Sequence, residues 1–288
     1  MPKINFAFIL GNPRSGTSLL RLMLNAHMNI ISPPECGFMQ WWYEVYKDWN
    51  LNDNCSERLD DFIEDLFNSK KIESWCLDKM VLKKFIQKQQ PANYNELSTC
   101  VYLSYGKKTD NIQYIIDKNN YYIHYLDWLV AMWPNSKIIH LVRDGRDVAC
   151  SYRGVNGLET TSLYKPNLTQ NIDEIAKEWR QNNLNINQLS NDFEYLLVRY
   201  EDLLNHPKKV LKKICNFLNL RFDSQMLKYY ELEEVFLTEP KETLDWKKKT
   251  REKPDISRIG QYHSVLNIEE IKIFENIAKN QLQAYGYK

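Results

Sequence analysis

Two short stretches carry residues whose types and spacing suit the binding of phosphate. The first is Gly-Asn-Pro-Arg-Ser-Gly-Thr-Ser, residues 11–18. Phe6–Leu10, just before it, is an apolar run that stops at Gly11 and reads as a buried strand. Just after it, Leu19, Leu20, Met23 and Leu24 fall on one stripe of a helix predicted over Thr17–His27. A strand, a glycine-bounded loop and a helix N-terminus make an anion cradle: free N–H groups of the first turn point at the ligand, and the helix dipole favours negative charge there. The loop nearly fits G-x-x-x-x-G-K-[ST]. Gly11, Gly16 and Ser18 are in register, but Thr17 stands at the lysine position and the cation is displaced to Arg14 inside the loop. The missing lysine argues against an ordinary ATPase or GTPase, which uses it on the β- and γ-phosphates. A bland reading leaves the glycines to serve only the turn; Arg14 and Ser18 favour the anion.

The second stretch is Arg-Asp-Gly-Arg-Asp-Val-Ala-Cys-Ser-Tyr, residues 143–152, directly after the apolar run Lys137–Val142. Arg143 falls at a strand end and Ser151 about two turns along a helix that starts near Asp147. A guanidinium and a hydroxyl converging there suit a phosphate monoester. The alternative is an exposed charged turn with internal Arg–Asp pairs.

The elements that must position these groups alternate. Strands are predicted over Asn111–Asp117, Lys137–Val142 and Tyr195–Val198. Helices are predicted over Tyr121–Met132, around Ile172–Ile186, from Pro207 and from Asn267 to Gly286, the last with Glu270 as a partial capping signal. Strand–helix alternation predicts an α/β fold with a central, mainly parallel sheet flanked by helices. Both motifs then sit just after strands, where open α/β sheets bind ligands. The segment from about 40 to 110 reads as several short helices inserted on the side of the second substrate, within a single domain spanning 1–288. Trp41, Trp42, Tyr43, Tyr46 and Trp49, within Met39–Trp49, read either as a helix packed on the core or as an apolar wall of an acceptor pocket.

Composition narrows the function. The 288 residues are 43% hydrophobic and 26% charged, with a net charge of +1, so no global field attracts nucleic acid or a membrane. Any anion site must be local. The six cysteines (Cys36, Cys55, Cys76, Cys100, Cys150, Cys215) include no C-x-x-C pair, which argues against a zinc site and reads as reduced thiols in a cytoplasmic protein. The first apolar run is too short for a signal peptide or membrane helix.

Gly-Asn-Pro-Arg-Ser-Gly-Thr-Ser-Leu-Leu resembles the 5′-phosphosulfate loop of sulfotransferases that use 3′-phosphoadenosine 5′-phosphosulfate (PAPS), in the Pro-Arg-Ser-Gly-Thr form of the tyrosylprotein and bacterial branch. The 143–152 stretch resembles that family's 3′-phosphate segment, including the Arg-to-Ser spacing. The resemblance implies the P-loop-like sulfotransferase fold and transfer of a sulfuryl group to an acceptor hydroxyl or amine, without a metal. It implies that Arg14, Ser15, Gly16, Thr17 and Ser18 hold the 5′-phosphosulfate. Arg143 and Ser151 would hold the 3′-phosphate, helped by Tyr200 in Arg-Tyr-Glu-Asp-Leu and by Ser257 and Arg258 in a C-terminal loop where Tyr262 replaces the usual tryptophan. Glu35, in Ser-Pro-Pro-Glu-Cys-Gly, would be the base that activates the acceptor. Lys118, after Tyr-Ile-Ile-Asp, would join Arg14 in stabilising charge on the leaving phosphate. A histidine base is the rival, with His27, His124, His140, His206 and His263 as candidates; His140 reads as a core residue. The basic run Lys247–Arg251 reads mainly as a solvated face. The acceptor is a small molecule or a peptide, and a homodimer is left open. Two other readings remain at this point: an ATP-dependent small-molecule kinase on a degenerate phosphate loop, and a non-catalytic nucleotide-binding protein.

Overall fold

The structure is a computed structural model that describes residues 4–106, 111–231 and 243–287. Its strands are β1 (Asn5–Leu10), β2 (Ile30–Ile31), β3 (Tyr114–Lys118), β4 (Lys137–Val142) and β5 (Glu194–Arg199). They form one parallel sheet in the order β2-β3-β1-β4-β5. The helices are α1 (Thr17–Asn25), α2 (Phe38–Trp41), α3 (Tyr43–Tyr46), α4 (Glu57–Phe67), α5 (Lys79–Gln89), α6 (Tyr94–Leu103), α7 (Leu126–Met132), α8 (Gly145–Asn156), α9 (Ile172–Gln188), α10 (Tyr200–Asn205), α11 (Pro207–Phe217), α12 (Leu244–Lys247), α13 (Tyr262–Val265) and α14 (Ile268–Ala284).

The sheet is apolar on both faces because helices cover both. Along β1, Phe6, Phe8 and Leu10 point into a core shared with α4, α5 and α6, whereas Ala7 and Ile9 point into a second core under α1 and α11. A third core joins Val142 to α8, α9 and α14. Register then fixes the site. Ile9 lies beside Lys118, Leu10 beside His140, and Val142 beside Arg199. The four long strands therefore end along one edge of the sheet, and the residues that follow (Gly11, Asn119, Arg143 and Tyr200) emerge there together.

Most predicted elements are present, with two breaks. The helix predicted over Tyr121–Met132 is instead a 3₁₀ turn at Asn120–His124 followed by α7, parted at Tyr125 (φ −137°, ψ 39°). Asn119 starts the tighter turn by accepting a hydrogen bond from the Tyr121 N–H at 3.1 Å. The aromatic run is likewise two short helices, α2 and α3, parted at Trp42. The capping signal of α14 is realised in full: Asn267 Oδ1 accepts from the Glu270 N–H and Glu270 Oε2 accepts from the Asn267 N–H, both at 2.9 Å. All six cysteines are free. Among the described residues, no helix is long and apolar enough to cross a membrane.

Candidate active site

The strand ends open into a cleft of about 580 Å³. Arg14, Gly16, Thr17, Ser18, Glu35, Lys118, Arg143, Ser151, Tyr200 and Arg258 all line it. The two motifs that the sequence places 130 residues apart thus share one cavity.

The first loop is fixed from beneath. Asn12 is fully buried; its Nδ2 donates to the Pro13 carbonyl (2.9 Å) and to the Tyr152 hydroxyl (3.2 Å), and its Oδ1 accepts from Asn182 Nδ2 (2.8 Å). Arg14 is held at φ 71°, in the left-handed region that costs a non-glycine residue about 1–3 kcal/mol and persists only where surroundings enforce it. Gly16 caps α1 at φ 93°, and the Tyr200 ring packs against it so closely that a Cβ there would lie 2.4 Å from Tyr200 Cδ2. Gly16→Ala should therefore lower stability by at least about 1 kcal/mol, from the strained φ alone. Thermal unfolding of the purified variant measures it.

The two motifs are tied to each other. Arg14 Nε donates to Ser151 Oγ at 3.1 Å, and Arg143 Nη1 donates to the Arg14 carbonyl at 3.3 Å. The C-terminal segment joins them: Arg14 Nη2 donates to the Trp246 carbonyl (3.2 Å) and Arg143 Nη2 to the Arg258 carbonyl (2.9 Å). The Arg143 guanidinium also lies 4.8 Å from the Tyr200 ring centroid. Burial first, then the like charges of Arg143 and Arg258, push the Arg14 pKa down to about 10. Cations crowded at such a cost are a site built for a polyanion. Among the described residues the buried Arg143 Nε has no hydrogen-bond partner, and it is one donor such an anion would satisfy.

Across the cleft, Glu35 sits on a braced loop. Ser32 Oγ donates to the Ile116 carbonyl (2.7 Å), Arg21 Nη1 to the Ser32 carbonyl (2.8 Å) and Trp75 Nε1 to the Pro34 carbonyl (2.9 Å). Glu35 Oε2 is 3.3 Å from Lys118 Nζ and 3.5 Å from Lys71 Nζ. Burial on its own would raise the Glu35 pKa, but Lys118, Lys71 and Lys247 together outweigh it and hold the carboxyl well below the usual range. Glu35 is therefore ionised at neutral pH, as a proton acceptor must be.

Two expected site residues lie elsewhere. Ser15 is buried beneath the loop, and its N–H is used inside it, donating to the Asn12 carbonyl at 3.1 Å. Ser257 is exposed, and its N–H and Oγ both donate to Asp255 Oδ1 (3.0 and 2.6 Å). Four of the five aromatics are core rather than pocket: Tyr46 and Trp49 are buried and Trp42 and Tyr43 pack against the same cluster, whereas Trp41 is exposed. Of the histidines, His124 lines the cleft. His140 is in the core, bonded to Tyr195 and to Asn183 (2.9 Å), with its pKa pushed down to about 4 by burial. His27 accepts from the Asn29 N–H at 3.0 Å and donates to the Arg221 carbonyl at 2.8 Å.

The cleft also gains residues the sequence did not mark. Lys71 comes from the insertion, at φ 71°, its N–H donating to the Tyr164 hydroxyl (3.3 Å). That hydroxyl in turn donates to Glu73 at 2.9 Å. Lys247, inside the basic run read as solvated, is 7% exposed and faces Glu35. The side chains of Lys248 and Lys249, in the same run, lie outside the described residues. No local pattern betrays Lys71; Lys247 was visible only as part of a charge run.

The profile described as Sulfotransferase family matches residues 7–224. The chain belongs to the sulfotransferase family. The chain is 26% identical over 231 residues to protein-tyrosine sulfotransferase 1 from Danio rerio, covering 78% of this chain and 56% of that one. It is 26% identical over 230 residues to protein-tyrosine sulfotransferase 2 from Gallus gallus, covering 78% and 54%. The chain thus spans about half the length of these curated relatives. Among solved structures, the sulfotransferase domain of the Synechococcus PCC 7002 olefin synthase aligns with TM-score 0.61 and 25% identity, over 96% of this chain and 97% of that one. The sulfotransferase domain from the curacin biosynthetic pathway aligns with TM-score 0.64 at 22% identity, over 100% and 99%, a likeness of fold.

Proposed function

We propose that this sulfotransferase moves a sulfuryl group from PAPS to an acceptor hydroxyl and releases adenosine 3′,5′-bisphosphate (PAP). The observation that carries the reading is the shared cleft: the glycine loop and the Arg143–Ser151 segment, linked through Arg14, face Glu35 and Lys118 across it. The residues present fit the nucleotide. Thr17 and Ser18 at the start of α1, with Arg14, would hold the 5′ end; Arg143, Ser151 and Arg258 would hold the 3′-phosphate, with the Tyr200 ring alongside. When bound, PAPS supplies the sulfuryl group as a mixed anhydride with phosphate.

The chain's own groups divide the remaining work. Glu35 Oε2 takes the acceptor proton as the acceptor oxygen bonds to sulfur. Arg14 and Lys118 place positive charge where the bond from sulfur to the bridging oxygen breaks and negative charge collects on the departing phosphate. The names of the curated relatives favour a tyrosyl hydroxyl in a peptide as acceptor; Tyr121, His124 and Tyr164 supply aromatic faces for such a ring at the cleft.

Calorimetry tests the reading. PAP should bind without metal, and ATP–Mg²⁺ should bind far more weakly. Arg143→Ala should weaken PAP about 10- to 100-fold, the loss expected for a charged hydrogen-bond donor. Binding of ATP–Mg²⁺ in preference to PAP would favour a kinase. With PAP binding in hand, an acceptor screen with radiolabelled sulfate donor identifies the second substrate.

A further inference from the structure

One titratable group beside the site takes no part in the chemistry above. Asp117 precedes Lys118 at the end of β3 and is fully buried. Among the described residues, neither of its carboxyl oxygens has a hydrogen-bond partner of ordinary geometry, and the same holds for the hydroxyls of Tyr102 and Tyr122, the two phenols that face it. Three polar groups buried together and left short of partners are an expensive arrangement in a core. The surroundings are otherwise apolar: Phe6 packs on Tyr102, with centroids 5.8 Å apart, and Phe8 on Tyr122, at 6.1 Å. An amide or an apolar side chain would fill the same place at lower cost. A carboxyl there calls for a role that uses its charge.

That role is given by its neighbours. Asp117 directly precedes Lys118 on β3, and Lys118 Nζ lies 3.3 Å from Glu35 Oε2 in the ion pair at the centre of the cleft, so a charge on Asp117 bears on both. Burial first pushes the Asp117 pKa up, Glu35 adds to the rise, and the Tyr122 and Tyr102 hydroxyls and Lys118 oppose it, leaving it at about 6. Cys36, which also faces Asp117, is pushed up to about 12 and stays a neutral thiol in the working range. The charged groups facing Glu35 are Lys118 from β3, Lys71 from the insertion and Lys247 from α12. All three depress its basicity, and an anion at Asp117 would act in the opposite sense.

We propose that Asp117 is a positioning residue of the sulfuryl transfer, acting through its charge on the Glu35–Lys118 pair: ionised, it makes Glu35 a stronger base, and neutral, it weakens it. The inference rests on Glu35 being the base. Two nearby carboxylates each favour the proton on the other, and a general base works faster as its basicity approaches the operating pH. As pH falls through the Asp117 titration, this opposing charge is lost and the rate steps down.

The test is kcat against pH, from 5 to 8, with donor and acceptor saturating. The native protein should show an acid-side inflection near pH 6. Asp117→Asn should lack it and stay on the low plateau throughout, roughly 3- to 10-fold below the native rate at pH 7.5, the effect of about a tenfold change in basicity. Asp117→Glu should restore the inflection. Tyr102→Phe and Tyr122→Phe, each removing a hydroxyl that favours the anion, should move it to higher pH. PAP affinity should stay unchanged in all four. An inflection that persists in Asp117→Asn overturns the proposal; if that variant does not fold, an inflection unmoved in both tyrosine variants does so. An active Glu35→Gln sinks the base assignment itself, whereas an inactive Glu35→Gln beside a native profile in Asp117→Asn sinks the role of Asp117 alone.

Discussion

Glu35→Gln should lower kcat by about 10²- to 10⁴-fold, the contribution of a positioned general base, while leaving PAP affinity equal or tighter. The amide keeps the shape of the side chain on its braced loop but cannot take the acceptor proton. It also removes a carboxylate held among Lys118, Lys71 and Lys247, so the cleft becomes more attractive to an anion, not less. The two readouts therefore part company, as they would not for a merely unfolded variant. Steady-state kinetics beside calorimetry with PAP measure both. Full activity in the variant would move the base elsewhere, with His124 next in line because it lines the same cleft.

Arg14→Ala should cut turnover by at least about 10²-fold, the range for one lost charge-stabilising donor, and here PAP affinity should fall as well. Arg14 is the knot between the glycine loop, Ser151 and the Trp246 carbonyl, so its loss removes a cation and unties the nucleotide's enclosure together. Its backbone allows a control. At φ 71° alanine is as strained as arginine, while glycine is not. Arg14→Gly should therefore unfold at a higher temperature than Arg14→Ala while losing activity to the same extent. If both variants retain turnover, charge on the departing phosphate is balanced by other groups.

The contrast between Lys118 and Lys71 explains what the sequence discloses. Lys118, Arg143 and Tyr200 each stand at or just past the end of an apolar strand, and a parallel sheet brings such ends to one edge whatever lies between. Their positions follow from local pattern plus topology, so they were legible. Lys71 and Tyr164 reach the cleft through contacts among segments with no regular pattern, and only tertiary packing decides that. Trp42, Tyr43, Tyr46 and Trp49 show the reverse: aromatic density marks burial, but burial in a core and burial against a ligand look alike in sequence, and here the core takes them. Ser257 stands outside the cleft lining for a local reason, since Asp255 two residues earlier captures both its donors in a turn. Helix continuity through Trp42 and Tyr125 failed similarly, where apolar spacing continued but the backbone turned.

Among the described residues, six cationic side chains line the cleft, Arg14, Arg143, Arg258, Lys71, Lys118 and Lys247, against the carboxylates of Glu35, Asp245 and Asp255. The whole chain carries a net charge of only +1. The net charge supplies little long-range pull, so attraction of an anion into the cleft comes from these local cations. Encounter with an anionic nucleotide is steered over the last ~10 Å, about one Debye length at 0.1 M salt. Diffusional capture at the mouth of the cleft therefore slows as ionic strength rises.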